Sequence, residues 1–522
     1  MPQRANCAQV RPFFALAAKF LCRSTILAII ESTGGGHTSR RGCRDMGKEQ
    51  GRGWEAMMEK LFHLTERGSD TRTELLAGLT TFMTTAYILM VNPGMFAELP
   101  GVSHDAIYIA TALSAAFGTL LSGLLANLPL AQASAMGSNA FFVYTVCLGF
   151  GLSYANALLL VLLDGIAFIL LTVTGLRRKI FEAIPASVRL AIPAGVGLFI
   201  AFIGLQDAGI VVADPETFVN LASFNLLFGS AAWPDVMPIL VTLAVLIGIA
   251  VLTYRGVRGS VLWGMLGGTL LYYLLGFTVP GVYTGFGGAL NLNPLAAFGE
   301  FGLSAFGQVF TEGFDFSSYL AGHSPAELAL LISTTSLAFC LVDMFDSLGT
   351  LYGACARGDL LTREGEVPNM ERAMLADAVA TAFGAVCGTS TVSTYVESSA
   401  GIAEGGRTGL ASMATGGLFL LAMFFSPVAA LVPNCATAAA LIYVGVLMMD
   451  CTRNIDWQNT GEAVPAFLTL VIMPMTYNIS YGIAFGVISH VLIQVFAGRG
   501  RAVNGGTWVI AALFAVMFLV TH

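Results

Sequence analysis

From Thr73 onward the chain repeats one pattern, in which long apolar runs are separated by short polar breaks. A helix that crosses the ~30 Å hydrocarbon core of a bilayer needs roughly 20 apolar residues. On that basis the pattern predicts spans at residues 73–96, 105–127, 137–152, 155–176, 186–206, 235–253 and 259–278. A polar, glycine-rich stretch with an amphipathic segment follows, to about residue 326. A second set runs over 327–354, 371–388, 392–404, 409–430, 434–449, 461–476 and 479–497, and a last apolar stretch, 506–521, adds a further helix. The predicted fold class is an all-α polytopic membrane protein with about fourteen transmembrane segments.

Two of these segments, 137–152 and 392–404, are too short to cross alone, and each is third in its set of seven. Each follows an irregular run, "NLPLAQASAMGSN" and "GTSTVSTYVES" respectively. Short, interrupted segments at matching positions of two halves point to a transporter's substrate site. Because seven is odd, the second set enters the membrane in the opposite sense, and the repeat is inverted. Charge supports the count. With the N-terminus in the cytoplasm, all thirteen Lys and Arg after Arg72 fall on the cytoplasmic side, while loops 97–104, 207–234 and 279–326 carry acids but no Lys or Arg. That is the positive-inside pattern.

Composition changes the picture only by exclusion. With 56% hydrophobic and 11% charged residues, the chain is far from the ~25% charge of a soluble domain. The formal net charge of −7 says little about partners, because the charges are not spread evenly, and no nucleic-acid partner is expected. Nine cysteines without a CxxC pair and six scattered histidines give no metal site, no cofactor site and no hydrolase constellation. Residues 1–57, with nine Lys/Arg against four acids, stand apart. They are expected to be a poorly ordered extension from an over-long start, with Met46, Met57 and Met58 as alternative starts. A targeting sequence or an amphipathic surface segment also fits that composition.

Inside the spans the acidic side chains are Asp164, Asp343, Asp346, Asp377, Glu397 and Glu404. An ionisable group at membrane depth is expensive unless it faces a cavity or a partner. Glu397, just inside the second short helix, would sit at unpaired N–H groups and a positive dipole end. A plain helix cap is the alternative. Asp343 and Asp346, three apart in "LVDMFDSLG", share a helix face. One would contact substrate while the other holds a proton or fixes the helix. Asn139, in "AMGSNAFFVYT", opens the first short helix opposite Glu397, and its amide both donates and accepts. Phe141 and Tyr395 are candidate stacking platforms, with plain packing as the alternative, and Asp377 reads as a support residue. Five threonines between Thr73 and Thr85 add hydroxyls that can also bond back to their own helix.

Three of these stretches, "LVDMFDSLGTLYG", "GTSTVSTYVESSAG" with "EGGRTGL", and "AMGSNAFFVYT", closely resemble the adenine/guanine/hypoxanthine permeases, the AzgA-like branch of the nucleobase–cation symporter-2 group. The likeness runs from about Met58 to near the C-terminus. It implies the uracil-transporter fold, with two inverted sevens split into core and gate, and with segments 3 and 10 half strand and half helix. It also implies substrate binding by Asn139, Asp343 and Glu397, with Asp346 as a further important aspartate. One departure is visible: "ASAMG" stands where the family usually has a proline and a glycine before Met-Gly, at Ser134 and Ala135. The expected organisation is an extension over 1–57, a first repeat over 58–278, an extracytoplasmic loop over 279–326, a second repeat over 327–497 and a C-terminal segment over 498–522.

The expected function is therefore secondary active import of a neutral purine base across the plasma (inner) membrane, with a proton as coupling ion. The partners are the lipid bilayer and a second copy in a homodimer. Rival readings are a sulfate or bicarbonate carrier on the same fold, a channel with acidic rings, and a membrane-embedded enzyme. An anion carrier predicts helix N-termini with basic or neutral side chains in place of Asp343 and Glu397. An enzyme needs a catalytic His, Cys or metal set within the spans, and the sequence shows none.

Overall fold

In the computed structural model, residues 57–174, 183–226, 229, 231–278, 294–357, 360–362 and 367–521 are described. The extension expected over 1–57 lies outside them, apart from Met57. The chain divides into two units, Met1–His63 and Leu64–His522. In the first, residues 57–62 are helical, and the His63 N–H donates to the Glu59 carbonyl at 2.9 Å.

The second unit is built from helices that coincide with the apolar runs. The first half comprises α1 (Thr71–Thr85), α2 (Ile88–Phe96), α3 (His104–Ala126), β1 (Gln132–Ser134), α4 (Met136–Ala140), a π-helical stretch (Phe141–Gly149), α5 (Tyr154–Val173), α6 (Ala186–Asp207), β2 (Val211–Asp214), β3 (Phe218–Leu221), α7 (Trp233–Tyr254) and α8 (Ser260–Thr278). The short helices α9 (Pro294–Ser304), α10 (Gln308–Thr311) and α11 (Ser317–Leu320) lie in the connecting stretch. The second half comprises α12 (Pro325–Arg357), α13 (Met370–Cys387), β4 (Val392–Thr394), α14 (Ser398–Ala403), α15 (Gly409–Ala422), α16 (Ser426–Ala429), α17 (Asn434–Met448), α18 (Thr460–Thr476) and α19 (Ile479–Phe496), followed by α20 (Gly505–Thr521). Among the described residues, ten helical stretches are long and apolar enough to cross a membrane, counting Thr71–Phe96, Gly409–Ala429 and Asn434–Asn454 each as one.

The first predicted span is broken between α1 and α2. Thr84 and Thr85 turn their hydroxyls back onto the carbonyls of Thr80, Thr81 and Phe82, at 2.8–3.3 Å. Such back-bonding bends helices, and here it brings Tyr87 to the break. A β-hairpin, β2–β3, occupies the loop after α6 and was not expected from the sequence. Asp214 closes it by accepting from the Thr217 N–H at 2.9 Å, from Asn220 at 3.2 Å and from the Glu216 N–H at 2.8 Å. These donors hold its carboxyl down to about 2, with the Thr217 N–H contributing most.

The helices pack in two groups. In one, α3 lies against α13 and α15, α5 against α13, and α14 and α15 against α1; in the other, α6, α17, α18 and α19 pack together, with α7 and α8 on the flank of α17. Small residues set the spacing. A Cβ at Gly401 would meet the Thr81 hydroxyl and come within 2.5 Å of the Ala77 carbonyl, so α14 lies directly on α1. Gly409 meets the Gly123 backbone in the same way. Because lipid tails are as apolar as leucine, such close approach and interhelical hydrogen bonds are what hold membrane helices together.

A buried carboxylate that the sequence reading passed over completes this group. Glu74 is fully buried on α1, and its oxygens accept from the N–H groups of Arg407 (2.8 Å), Thr408 (3.3 Å) and Ala411 (3.2 Å) at the start of α15. It thus caps a helix from a distant part of the chain. Arg67 braces the same corner, donating to the Asn127 carbonyl at 3.1 Å and the Arg407 carbonyl at 3.3 Å. Glu74→Gln, which turns an N–H toward these donors, is expected to destabilise the protein by about 1–3 kcal/mol, read as a lower unfolding temperature in detergent. Gly401→Val is expected to displace α14 from α1, and its loss of folded, monodisperse protein would be seen by size-exclusion chromatography.

Candidate functional site

The two short segments meet. β1 pairs antiparallel with β4, with Gln132 opposite Thr394, Ala133 opposite Ser393 and Ser134 opposite Val392. The pairing is extended at both ends, where the Ala135 N–H donates to the Thr391 carbonyl and the Tyr395 N–H to the Ala131 carbonyl, each at 2.9 Å. Three residues per strand suffice because the flanking backbone is satisfied by hydroxyls. Thr119 both donates to the Gln132 carbonyl and accepts from its N–H at 2.9 Å, and Thr381 does the same for Val392 at 3.0 and 3.2 Å. Gly388, at φ +98°, makes the turn from α13 into the extended stretch, a conformation that favours glycine. Its carbonyl accepts from the Tyr154 hydroxyl.

The strand geometry distributes the carboxylates. Ser393 points one way and donates to Asp346 at 3.0 Å, while Thr394, on the opposite face, lies 3.4 Å from Asp377. Asp377 also accepts from Ser347 of α12, so it ties β4, α12 and α13 together. Asp343, buried on α12, lies 3.4 Å from the Thr381 hydroxyl of α13. Of the pair on this face, Asp346 is half-buried and Asp343 fully buried.

Glu397 stands at the cap position of α14, one residue before the helix, where the reading from sequence put it just inside. Its carboxylate makes no capping bond to α14. Instead it accepts from the Tyr87 hydroxyl at 2.7 Å, and its main-chain carbonyl accepts from Thr84 at 3.3 Å. It is half-buried, and no Lys or Arg pairs with it among the described residues. Tyr87, Tyr395, Glu397 and Asp346 are electrostatic neighbours.

Asn139, fully buried on α4, accepts from the hydroxyls of Ser134 at 2.8 Å and Ser390 at 2.5 Å. The departure at Ser134 therefore places a hydroxyl against Asn139. The Ser134 carbonyl in turn accepts from the Tyr395 phenol at 2.6 Å, and this hydrogen bond fixes the ring. Phe141 is fully buried and meets Phe339 edge-on, with centroids 4.8 Å apart, so in this conformation it packs against protein. The crossing thus gathers Asn139, Asp343, Asp346, Asp377, Tyr395 and Glu397. Sequence reasoning missed Tyr87, Ser134 and Ser390 as their partners. The only signal for Tyr87 was its place in the threonine-rich first span.

A cavity of about 400 Å³ lies elsewhere, lined by Tyr144, Phe150, Tyr319, His323, Tyr477 and Tyr481 among others, at the face where α12 begins. None of the residues of the crossing lines it. Beside it, Tyr144 donates to Glu98 at 2.7 Å, and burial pushes the Glu98 carboxyl up against that hydrogen bond.

Comparison with known proteins places this geometry. The chain is 38% identical over 473 residues to the adenine permease AdeP of Escherichia coli, covering 90% of this chain and 98% of that one. It is 38% identical over 470 residues to the guanine/hypoxanthine permease PbuG of Bacillus subtilis, covering 88% and 99%. Among solved structures, the transmembrane domain of the cyanobacterial bicarbonate transporter BicA superposes with a TM-score of 0.52 at 15% identity, over 82% of this chain and 97% of that one. SLC26A9 superposes with a TM-score of 0.54 at 14% identity, over 89% and 73%. At that identity the likeness shows the fold, the two inverted halves of these transporters. A family model described as "Permease family" matches residues 72–485, a range that takes in both strands and both short helices, and the chain belongs to that family of multi-pass membrane proteins.

Proposed function

We propose that the chain is a secondary active importer of purine nucleobases, coupled to protons and working by alternating access. The observation that carries the reading is Glu397, a half-buried carboxylate at membrane depth held by a neutral phenol where an ion pair would otherwise be expected. A carboxylate has acceptor capacity for further N–H donors beyond the one from Tyr87, and a purine edge supplies ring N–H groups. Four of the relatives carry a nucleobase in their names, two adenine and two guanine/hypoxanthine.

Asn139, Asp343 and Glu397 are the substrate contacts in this reading, Asp346 and Asp377 the proton-coupling and supporting groups, and Phe141 and Tyr395 the stacking candidates. They lie just after β1 (Asn139, Phe141), just after β4 (Tyr395, Glu397) and on α12 and α13, which pack against β4. The helices around the strand crossing would carry the substrate as one body against the group of α6, α17, α18 and α19. A proton on Glu397 or an aspartate lowers the cost of moving the loaded site through a low-dielectric region. The same reading gives about fourteen crossings in the inner membrane, a cytoplasmic N-terminus, an extracytoplasmic loop at 279–326 and a homodimer. The fold neighbours include an anion transporter, but an anion site is poorly served by acids at the crossing.

Uptake of labelled hypoxanthine and adenine by cells lacking their own purine permeases tests the proposal. Uptake is expected to saturate and to collapse with an uncoupler. Glu397→Gln and Asp343→Asn are each expected to lower it at least about tenfold, the scale of a lost charge-assisted hydrogen bond, with the protein still in the membrane. Competition by sulfate or bicarbonate but by no purine would reject it.

A further inference from the structure

The two short segments leave the strand crossing in opposite directions, because β1 and β4 are antiparallel and each runs on into its helix. Beyond the crossing each is tied to a different part of the chain. On one side, past α4, the Thr145 hydroxyl donates at 2.5 Å to the carbonyl of Tyr477, between α18 and α19. On the other side the tie is ionic: Glu404, which ends α14, pairs with Arg258 of the turn between α7 and α8. Nothing local calls for an acid there, since a negative charge at a helix C-terminus opposes the helix dipole. Nor is it used by the nearby Arg407, whose guanidinium donates to the carbonyls of Ile402 at 2.9 Å and Gly406 at 3.0 Å. The turn that carries Arg258 is shaped for the contact. Gly256 at φ +71° and Gly259 at φ +68° flank it in the left-handed conformation that favours glycine. A Cβ at Gly259 would come within 3.0 Å of the Met83 carbonyl of α1, so the turn lies directly on that helix.

We propose that the Arg258–Glu404 pair is a latch between the two helix groups, closing the face toward which α14 points and parting each time the carrier opens there. This rests on the alternating-access reading above. Glu404 rides on α14, which lies on α1, whereas Arg258 belongs to the turn of α7 and α8, which flank α17. Rocking one group against the other pulls these two side chains apart while the pairing of β1 with β4 stays whole. The pair suits a contact that has to break. Its side chains are 58% and 27% exposed, so water takes over each charge as they separate. A buried pair would leave both charges unpaired in a low-dielectric interior, at a far greater cost. Arg258 and Glu404 stand outside the crossing and govern access to it.

The test bridges the two positions. Arg258→Cys/Glu404→Cys is expected to take up labelled hypoxanthine within about fivefold of the wild type, because an exposed pair contributes little. A short bifunctional methanethiosulfonate is expected to lower that uptake at least about tenfold, by holding the latch shut, and a reducing agent to restore it. The wild type and both single variants should be unaffected. A cross-linked protein that transports at the unlinked rate would overturn the proposal. Opening is also read without substrate, by spin labels on Arg255→Cys and Ala403→Cys, two exposed positions that leave the pair intact. In a folded, cysteine-free background they should report two distances, the longer gaining population at about 1 M salt, which screens exposed charges. A single distance unmoved by salt would overturn the latch whatever the substrate. Two distances in a protein that takes up no purine would uphold the latch and reject the purine reading alone.

Discussion

The pairing of β1 with β4 is the constraint on which the centre of this protein depends. In hydrocarbon every backbone N–H and C=O needs an internal partner, so extended chain is tolerated at membrane depth only where protein surrounds it. A single extended segment would leave its ladder groups unpaired. Two of them, one from each half and antiparallel, satisfy each other, and the hydroxyls of Thr119 and Thr381 complete the ends. From that pairing follow the side-chain directions: Ser393 toward Asp346, Thr394 toward Asp377, and Ser134 toward Asn139. The chemistry of the site is a by-product of how the backbone is satisfied.

The same economy governs the surrounding helices. α14 is six residues long and cannot stand alone. It is stable here because Gly401 lets it lie on α1 and because α15, which follows it, is capped by Glu74 from α1. Glu397 is therefore placed by contacts on three sides: the strand before it, the short helix after it and Tyr87 beside it. A group so placed is tied to α1 and to the strand crossing, the arrangement that the proposed rocking of one helix group against another needs.

Much of this was legible in the sequence because membrane helices announce themselves by length and hydropathy, and each predicted span coincides with a helix, a broken helix or a strand–helix pair. The two short segments stood out because 137–152 and 392–404 fell below the length of a crossing. Four features were not legible. Nothing local marks Glu74, since its three N–H donors come from residues more than three hundred positions away. Tyr87 had no local pattern that distinguishes a site phenol from an interfacial one. The β2–β3 hairpin is a short backbone ladder closed by one aspartate and left no apolar alternation to read. The hydrogen bonds from Ser134 and Ser390 to Asn139 are likewise made only by the fold.

The most direct measurement is a cryo-electron microscopy structure of the purified protein with hypoxanthine bound. The account predicts density for a planar base at the strand crossing, within hydrogen-bonding distance of the Glu397 carboxylate and of Asn139 Nδ2. Density confined to the aromatic cavity of Tyr144 and Tyr477, with the crossing closed and untouched, would contradict it.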